Sequence, residues 1–189
     1  MLNRRYTAPE HKPMMFADLM RLAVEQNRGA ITHLSIYEPS RAPITSFAAQ
    51  VAEVEVDPHT GQVKVKKLTT VHDSGTVLNR LSYQGQIDGG VVTGLGFALM
   101  EDNSLIDGKM ATANLGEFKM ATIADVPKLT TVLMQDATGP TPYQGKAIAE
   151  IPNVPTAAAI ANAVQDAVGV RLYDLPLTSE KVYAALTGK

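Results

Sequence analysis

The chain has 189 residues, 45% hydrophobic and 19% charged, with 17 basic and 19 acidic side chains for a formal net charge of −2. That length allows one domain with a sizeable core, the composition argues against disorder as the dominant state, and the charge balance gives no electrostatic basis for binding nucleic acid. The absence of cysteine excludes disulfides, thiolate metal sites, iron–sulfur clusters and a cysteine nucleophile within this polypeptide.

The start, Met1-Leu2-Asn3-Arg4-Arg5, is basic, but no apolar run follows it, so no secretory signal is read there and a cytoplasmic protein is expected. Phe16, Leu19, Met20 and Ala23 share one stripe of a predicted helix that Gly29 stops, and the alternation from Ala30 to Tyr37 predicts a strand. Pro39 and Pro43 bound a linker, so residues 1–45 read as an attachment and 46–189 as the main domain. Two valine-rich runs flank Asp57-Pro58-His59-Thr60-Gly61 and predict a β-hairpin that ends in a turn at His72-Asp73-Ser74-Gly75. Asp73 and Asn79 read there as turn formers.

Leu81 to Met100 has helical spacing, with Ile87, Val91, Leu95, Ala98 and Leu99 on one apolar face. It also carries Gly85, Gly89, Gly90, Gly94 and Gly96. Each interior glycine costs a helix up to about 1 kcal/mol relative to alanine, so something must gain from the missing side chains. Either another part of the fold or a ligand packs very close. A dinucleotide fingerprint is refused, because Leu99 stands where the third glycine belongs and no apolar strand leads in. The longest apolar stretch, Val91 to Met100, is too short to span a bilayer.

A turn follows at Asp107-Gly108, and Lys128 to Asp136 predicts a strand. Gly139 to Pro152 is a loop rich in proline and glycine. A helix begins at Pro155, with Thr156 as its expected cap and Gly169 at its stop, and a last helix starts at Thr178-Ser179 and ends near Gly188. Strands and helices are mixed without strict alternation, which predicts an α+β fold with a mixed sheet, a β-hairpin and packed helices.

Three side chains invite chemistry. Glu150 is a single carboxylate among Ile148, Ala149, Ile151 and Pro152. If its loop is buried, desolvation favours the protonated form and suits a general base; pairing with a cation or capping the next helix is the alternative. Lys146, behind Gly145, offers its charge and neighbouring N–H groups to an anion, or is a solvated loop lysine. Gln86 places an amide on the glycine-laden helix, where it reads a heterocyclic ligand or faces solvent. The four histidines His11, His33, His59 and His72 form no close pair, which argues against a histidine metal site.

Val54 to Gly61, His72-Asp73-Ser74-Gly75 with Asn79, Gln84-Gly85-Gln86-Ile87-Asp88-Gly89-Gly90 through Gly96, and Gly145-Lys146 through Glu150 follow one another in an ordered series. Together they resemble the C-terminal molybdopterin-binding portion of the xanthine dehydrogenase, aldehyde oxidase and aerobic carbon monoxide dehydrogenase family of molybdenum hydroxylases. The resemblance covers roughly residues 45–187. It implies molybdenum held by the dithiolene of molybdopterin, often as its cytosine dinucleotide, and not by protein ligands. It places Gln86, Gly145, Lys146 and Ala147 at the pterin and Glu150 as the base in hydroxylating a heterocycle or aldehyde with oxygen from water. Ala149 stands where the family usually has glycine, and Arg80 where proline is common. The first molybdenum-binding half of the family has no counterpart here. The resemblance therefore implies a small molybdopterin-binding subunit or a C-terminal fragment of a molybdenum hydroxylase, with partners: a larger molybdopterin-binding chain, an iron–sulfur subunit and an FAD subunit. Neither nucleic acid nor membrane is expected. A non-catalytic interaction module that kept the fold but lost the cofactor is the other reading.

Overall fold

The computed structural model describes residues 14–27, 34–36, 38, 45–112, 114–136 and 138–188. The chain divides into two compact units, Met1–Glu38 and Pro39–Lys189. In the first, helix α1 spans Phe16–Asn27. Along its expected apolar stripe Ala23 is buried, whereas Phe16 and Leu19 are exposed. Gly29 lies outside the described residues, as do Pro39, Pro43 and most of the predicted strand from Ala30 to Tyr37. The described part of that strand, Leu34 to Ile36, has no regular structure, and both ends are exposed. Alternation alone did not make a strand of these three residues.

In the second unit the hairpin forms as its valines dictate. Strands β1, Phe47–Val56, and β2, Val63–Asp73, pair antiparallel with a register shift at Glu53/Val54. The connection closes through Gly61 N–H donating to Asp57 O at 2.8 Å, with Gly61 at a φ of 71°. Along β1, exposed Phe47, Ala49, Val51, Glu53 and Glu55 alternate with half-buried Ala48, Gln50, Ala52, Val54 and Val56. Strand β5, Lys128–Met134, lies parallel to β2, which completes a three-stranded mixed sheet in the order β1-β2-β5.

A parallel pair needs a crossover, and helix α2, Arg80–Leu99, begins it. Its start is fixed by Asn79, whose Oδ1 accepts from Ser82 N–H at 3.1 Å, so Asn79 is an N-cap and not merely a turn former. Between α2 and β5 lie the two-residue strands β3, Leu105–Ile106, and β4, Lys109–Met110, around the Asp107-Gly108 turn, and a short helix α3, Leu115–Phe118.

Helix α4, Thr156–Val168, packs against β1 and α2, and α5, Ser179–Thr187, closes the chain. Helix α5 starts where expected, with Thr178 as its cap, but Thr156 does not cap α4. Its hydroxyl is buried and donates back to Pro152 O at 3.0 Å. The core gathers Leu68 from the sheet, Ile87, Val91 and Leu95 from α2, Ile160 and Val164 from α4, and Leu177 and Val182 from the C-terminal segment. Burial of each stabilises by roughly 1.5–3 kcal/mol.

The buried end of β2 carries a testable charge effect. His72 is fully buried, with Nε2 2.7 Å from Thr70 Oγ1 and no hydrogen-bond partner for Nδ1 among the described residues. Burial pushes its pKa below the ordinary value of 6.5. The unfolded chain therefore takes up this proton more readily than the folded one, so stability present above pH 6.5 is lost as pH falls below it. The slope is at most about 1.4 kcal/mol per pH unit. Thermal unfolding followed from pH 7.5 to 5.5 is expected to show this loss, and His72→Gln to flatten it.

Candidate functional site

The loop from Gly139 to Pro155 is bound to the sheet at its first part. After β2 the chain turns at Gly75, whose φ is 59°, and bridges antiparallel to Gly145. Thr76 N–H donates to Gln144 O at 2.9 Å, and Lys146 N–H donates to Ser74 O at 3.0 Å. A Cβ on Gly75 would stand 2.4 Å from Gln144 O, so only glycine admits this approach. Gly145 is buried, and its N–H donates to Thr141 Oγ1 at 2.8 Å.

Lys146 is neither a solvated lysine nor an open anion site. Its Nζ lies 2.5 Å from Asp73 Oδ2, with both side chains largely buried. That ammonium, first by its hydrogen bond, holds the Asp73 carboxyl below its ordinary pKa. Asp73 Oδ1 also accepts from Gly75 N–H at 3.3 Å, so the predicted turn former doubles as the counter-ion. What the loop has left for an anion is backbone. The N–H groups of Ala147, Ile148, Ala149, Glu150 and Ile151 have no hydrogen-bond partner among the described residues.

Glu150 follows in this stretch and is exposed, so this chain alone does not supply the desolvation expected for it. It makes no ion pair and no side-chain hydrogen bond among the described residues. It is not isolated in space, however. Glu150, Ala149 and Asn153 from the loop line one hollow of about 320 Å3 with Gly85, Gln86, Gly89, Gly90 and Thr93 of α2. Gln86 is exposed there, and its amide has no partner among the described residues. Glu150 and Gln86 thus line the same hollow. Gly145, Lys146 and Ala147 do not line it. They form the anchored shoulder of the same loop.

Four of the five α2 glycines separate into two sets; at the fifth, Gly96, a Cβ would stand 2.2 Å from Glu101 Oε1. At Gly90 a Cβ would stand 2.9 Å from Pro152 Cβ, and at Gly94 one would stand 2.5 Å from Thr156 Cβ. These two glycines let the helix press against the loop and the start of α4. Gly85 and Gly89, one turn apart, have nothing within 4 Å of an added Cβ. Internal packing gives no reason for their bare backbone, and both open onto the hollow.

A larger hollow, of about 930 Å3, lies at the far end of the sheet among Val56, Val63, Leu95, Leu99, Asp125 and Lys128. None of the expected site residues lines it, so the smaller one is the candidate on chemical grounds. Among the described residues no group of three or more His, Cys, Asp or Glu side chains stands close enough to hold a metal ion. A metal here would need ligands from elsewhere. No helix among them is long and apolar enough to cross a membrane.

Sequence reasoning missed Ser46, whose Oγ donates to Ala147 O at 3.2 Å, and Tyr83, whose hydroxyl donates to Lys146 O at 3.3 Å. It also missed Gln50, although a polar residue in the inward row of an alternating strand is a visible signal.

Comparison with known proteins bears on what this hollow receives. The family model described as molybdopterin cofactor-binding domain matches residues 3–127. A putative xanthine dehydrogenase molybdenum-binding subunit from Escherichia coli K12 is 37% identical over 141 residues, which cover 73% of this chain and 19% of the relative. The structure of aldehyde oxidoreductase from Desulfovibrio gigas superposes with a TM-score of 0.70 at 36% identity, covering 75% of this chain and 15% of that one. Quinoline 2-oxidoreductase from Pseudomonas putida 86 gives 0.67 at 26% identity, covering 72% of this chain and 18% of that one. The chain thus spans less than a fifth of the length of each of these three proteins.

Proposed function

Because the chain belongs to the molybdopterin cofactor-binding domain family, within the molybdenum hydroxylases, we propose that it forms part of the active site of an oxidoreductase acting on a heterocycle or an aldehyde. The observation that carries the reading is the hollow shared by Gln86 and Glu150, walled by two glycines that no internal packing explains. A flat heterocyclic cofactor fits there. Bare backbone at Gly85 and Gly89 allows close approach, and the Gln86 amide both donates and accepts hydrogen bonds, as a pterin edge requires. The unpaired N–H groups from Ala147 to Ile151 suit the negative charge of a phosphate-bearing group.

Molybdopterin, as such or as its cytosine dinucleotide, supplies the two-electron redox chemistry when bound. Glu150 accepts the proton from the water-derived oxygen as that oxygen attacks the electron-poor carbon of the substrate. Its present exposure fits a site closed by another chain, since a carboxylate sealed off on assembly gains base strength. The Asp73–Lys146 pair keeps the shoulder of the loop in place and leaves its backbone to the cofactor.

This chain covers only a small part of its relatives, and it exposes Phe47, Val51, Val132 and Met134 on the outer face of the sheet. That exposed apolar face supports burial against further molybdopterin-binding residues that complete the cavity. Electrons leave through an iron–sulfur subunit, with an FAD subunit beyond it. The test is metal and pterin analysis of the chain co-expressed with the products of neighbouring reading frames. Molybdenum and pterin at one equivalent per complex are expected. A stable complex holding neither overturns the reading and leaves the interaction module.

A further inference from the structure

We infer that Gln50, on β1, is a positioning residue for the Glu150 loop, acting through the carbonyl of Pro152. The inference rests on the assignment of Glu150 above and adds what sets that side chain's place.

Gln50 is the one polar member of an inward row otherwise made of Ala48, Ala52, Val54 and Val56. Its Nε2 donates to Pro152 O at 2.7 Å, across 102 residues of sequence. Thr156 Oγ1 donates to the same oxygen at 3.0 Å, so both lone pairs of that carbonyl are taken. Gly90 lets α2 reach Pro152 from the third side. One strand and two helices therefore converge on a buried proline two residues beyond Glu150.

The amide pays for this contact at its other end. Gln50 Oε1 is buried with no hydrogen-bond partner among the described residues. Turning the amide over would set Oε1 against Pro152 O, acceptor against acceptor, so only the observed orientation is tenable. A side chain kept merely to fill the core would be apolar like its neighbours and leave no orphaned oxygen. The other end of the loop is held separately, by Ser46 on Ala147 O and by the Asp73–Lys146 pair. Between the two anchors only a short segment remains, and Glu150 sits at its Pro152 end. Loss of the Gln50 bond leaves Pro152 O to Thr156 alone and loosens the placement of Glu150 while the Gly145 shoulder stays in place.

The test uses Gln50→Glu, which keeps the shape but exchanges the donor for an acceptor, and Gln50→Leu, which fills the same space. Val54→Ala, inward on the same strand and packed on the core, is the control for general destabilisation. In the assembled complex, hydrogen exchange at the Asn153 and Val154 amides, which donate to Glu150 O and Ile151 O, is expected to rise about tenfold in both Gln50 variants, beyond any rise in Val54→Ala. At unchanged molybdenum content kcat is expected to fall about 10- to 100-fold with little change in KM, the pattern of a misplaced catalytic group. Loop exchange in both variants no faster than in the control overturns the inference, and so does an unchanged kcat in both while Glu150→Gln is inactive. If Glu150→Gln is fully active while the loop still loosens in the Gln50 variants, the reading of Glu150 fails and the anchoring of the loop stands.

Discussion

Exchange of Glu150 for glutamine is expected to abolish measurable turnover of the assembled enzyme while its molybdenum content stays at the parent level. Glutamine keeps the size and polarity of the side chain and removes only its capacity to take a proton. A positioned general base contributes about 10²- to 10⁴-fold, so a loss of at least a hundredfold in kcat is expected. The variant is also expected to fold normally. Glu150 is exposed and has no ion pair among the described residues, so replacing it leaves no stranded partner within them. Thermal stability within about 0.5 kcal/mol of the parent follows. Turnover measured beside metal analysis decides the matter: full activity at full molybdenum loading removes Glu150 from the chemistry.

The second large effect separates the two kinds of glycine on α2. Gly94→Val is expected to destabilise the chain by about 3 kcal/mol, because its Cβ alone would stand 2.5 Å from Thr156 Cβ and 3.0 Å from Asn153 O in a packed interface. In a chain of this size that lowers Tm by about 10 °C. Gly85→Ala and Gly89→Ala meet nothing within 4 Å, so each is expected to stabilise the helix by up to about 1 kcal/mol. The same alanines are expected to lower the pterin content of the purified complex, since they intrude on the hollow. Thermal melts paired with pterin analysis check both halves. A Gly89→Ala complex that is more stable and fully loaded would show that bare backbone there serves no ligand.

Much of this was legible in the residues themselves. The valine alternation around Asp57 to Gly61 dictated the hairpin, and the apolar period of Ile87, Val91 and Leu95 dictated α2 despite its glycines. What sequence spacing could not divide was the purpose of those glycines, because both explanations make the same demand for a missing side chain. Only the neighbours in space tell them apart. Lys146 was misjudged for a related reason: its partner Asp73 lies 73 residues away and became visible only once β2 and the loop were paired. Thr156 had the composition of a cap, but burial against Pro152 gave its hydroxyl another acceptor. For Leu34 to Ile36, the described part of the Ala30 to Tyr37 alternation, spacing carried no information about a pairing partner, which is what makes a strand.

The long reach of the loop contacts bears on how the molecule comes together and apart. Gln50 meets Pro152 across 102 residues, Ser46 meets Ala147 across 101, and Asp73 meets Lys146 across 73. The hairpin pairs residues that are near neighbours in the chain and can zip early. The loop contacts must wait until a much longer stretch has closed upon itself, an entropic toll that grows with contour length. Closing the loop therefore costs more chain entropy than closing the hairpin, by about 0.6 kcal/mol for each doubling of length. A bound cofactor would act there as a clasp across contacts that join distant parts of the chain.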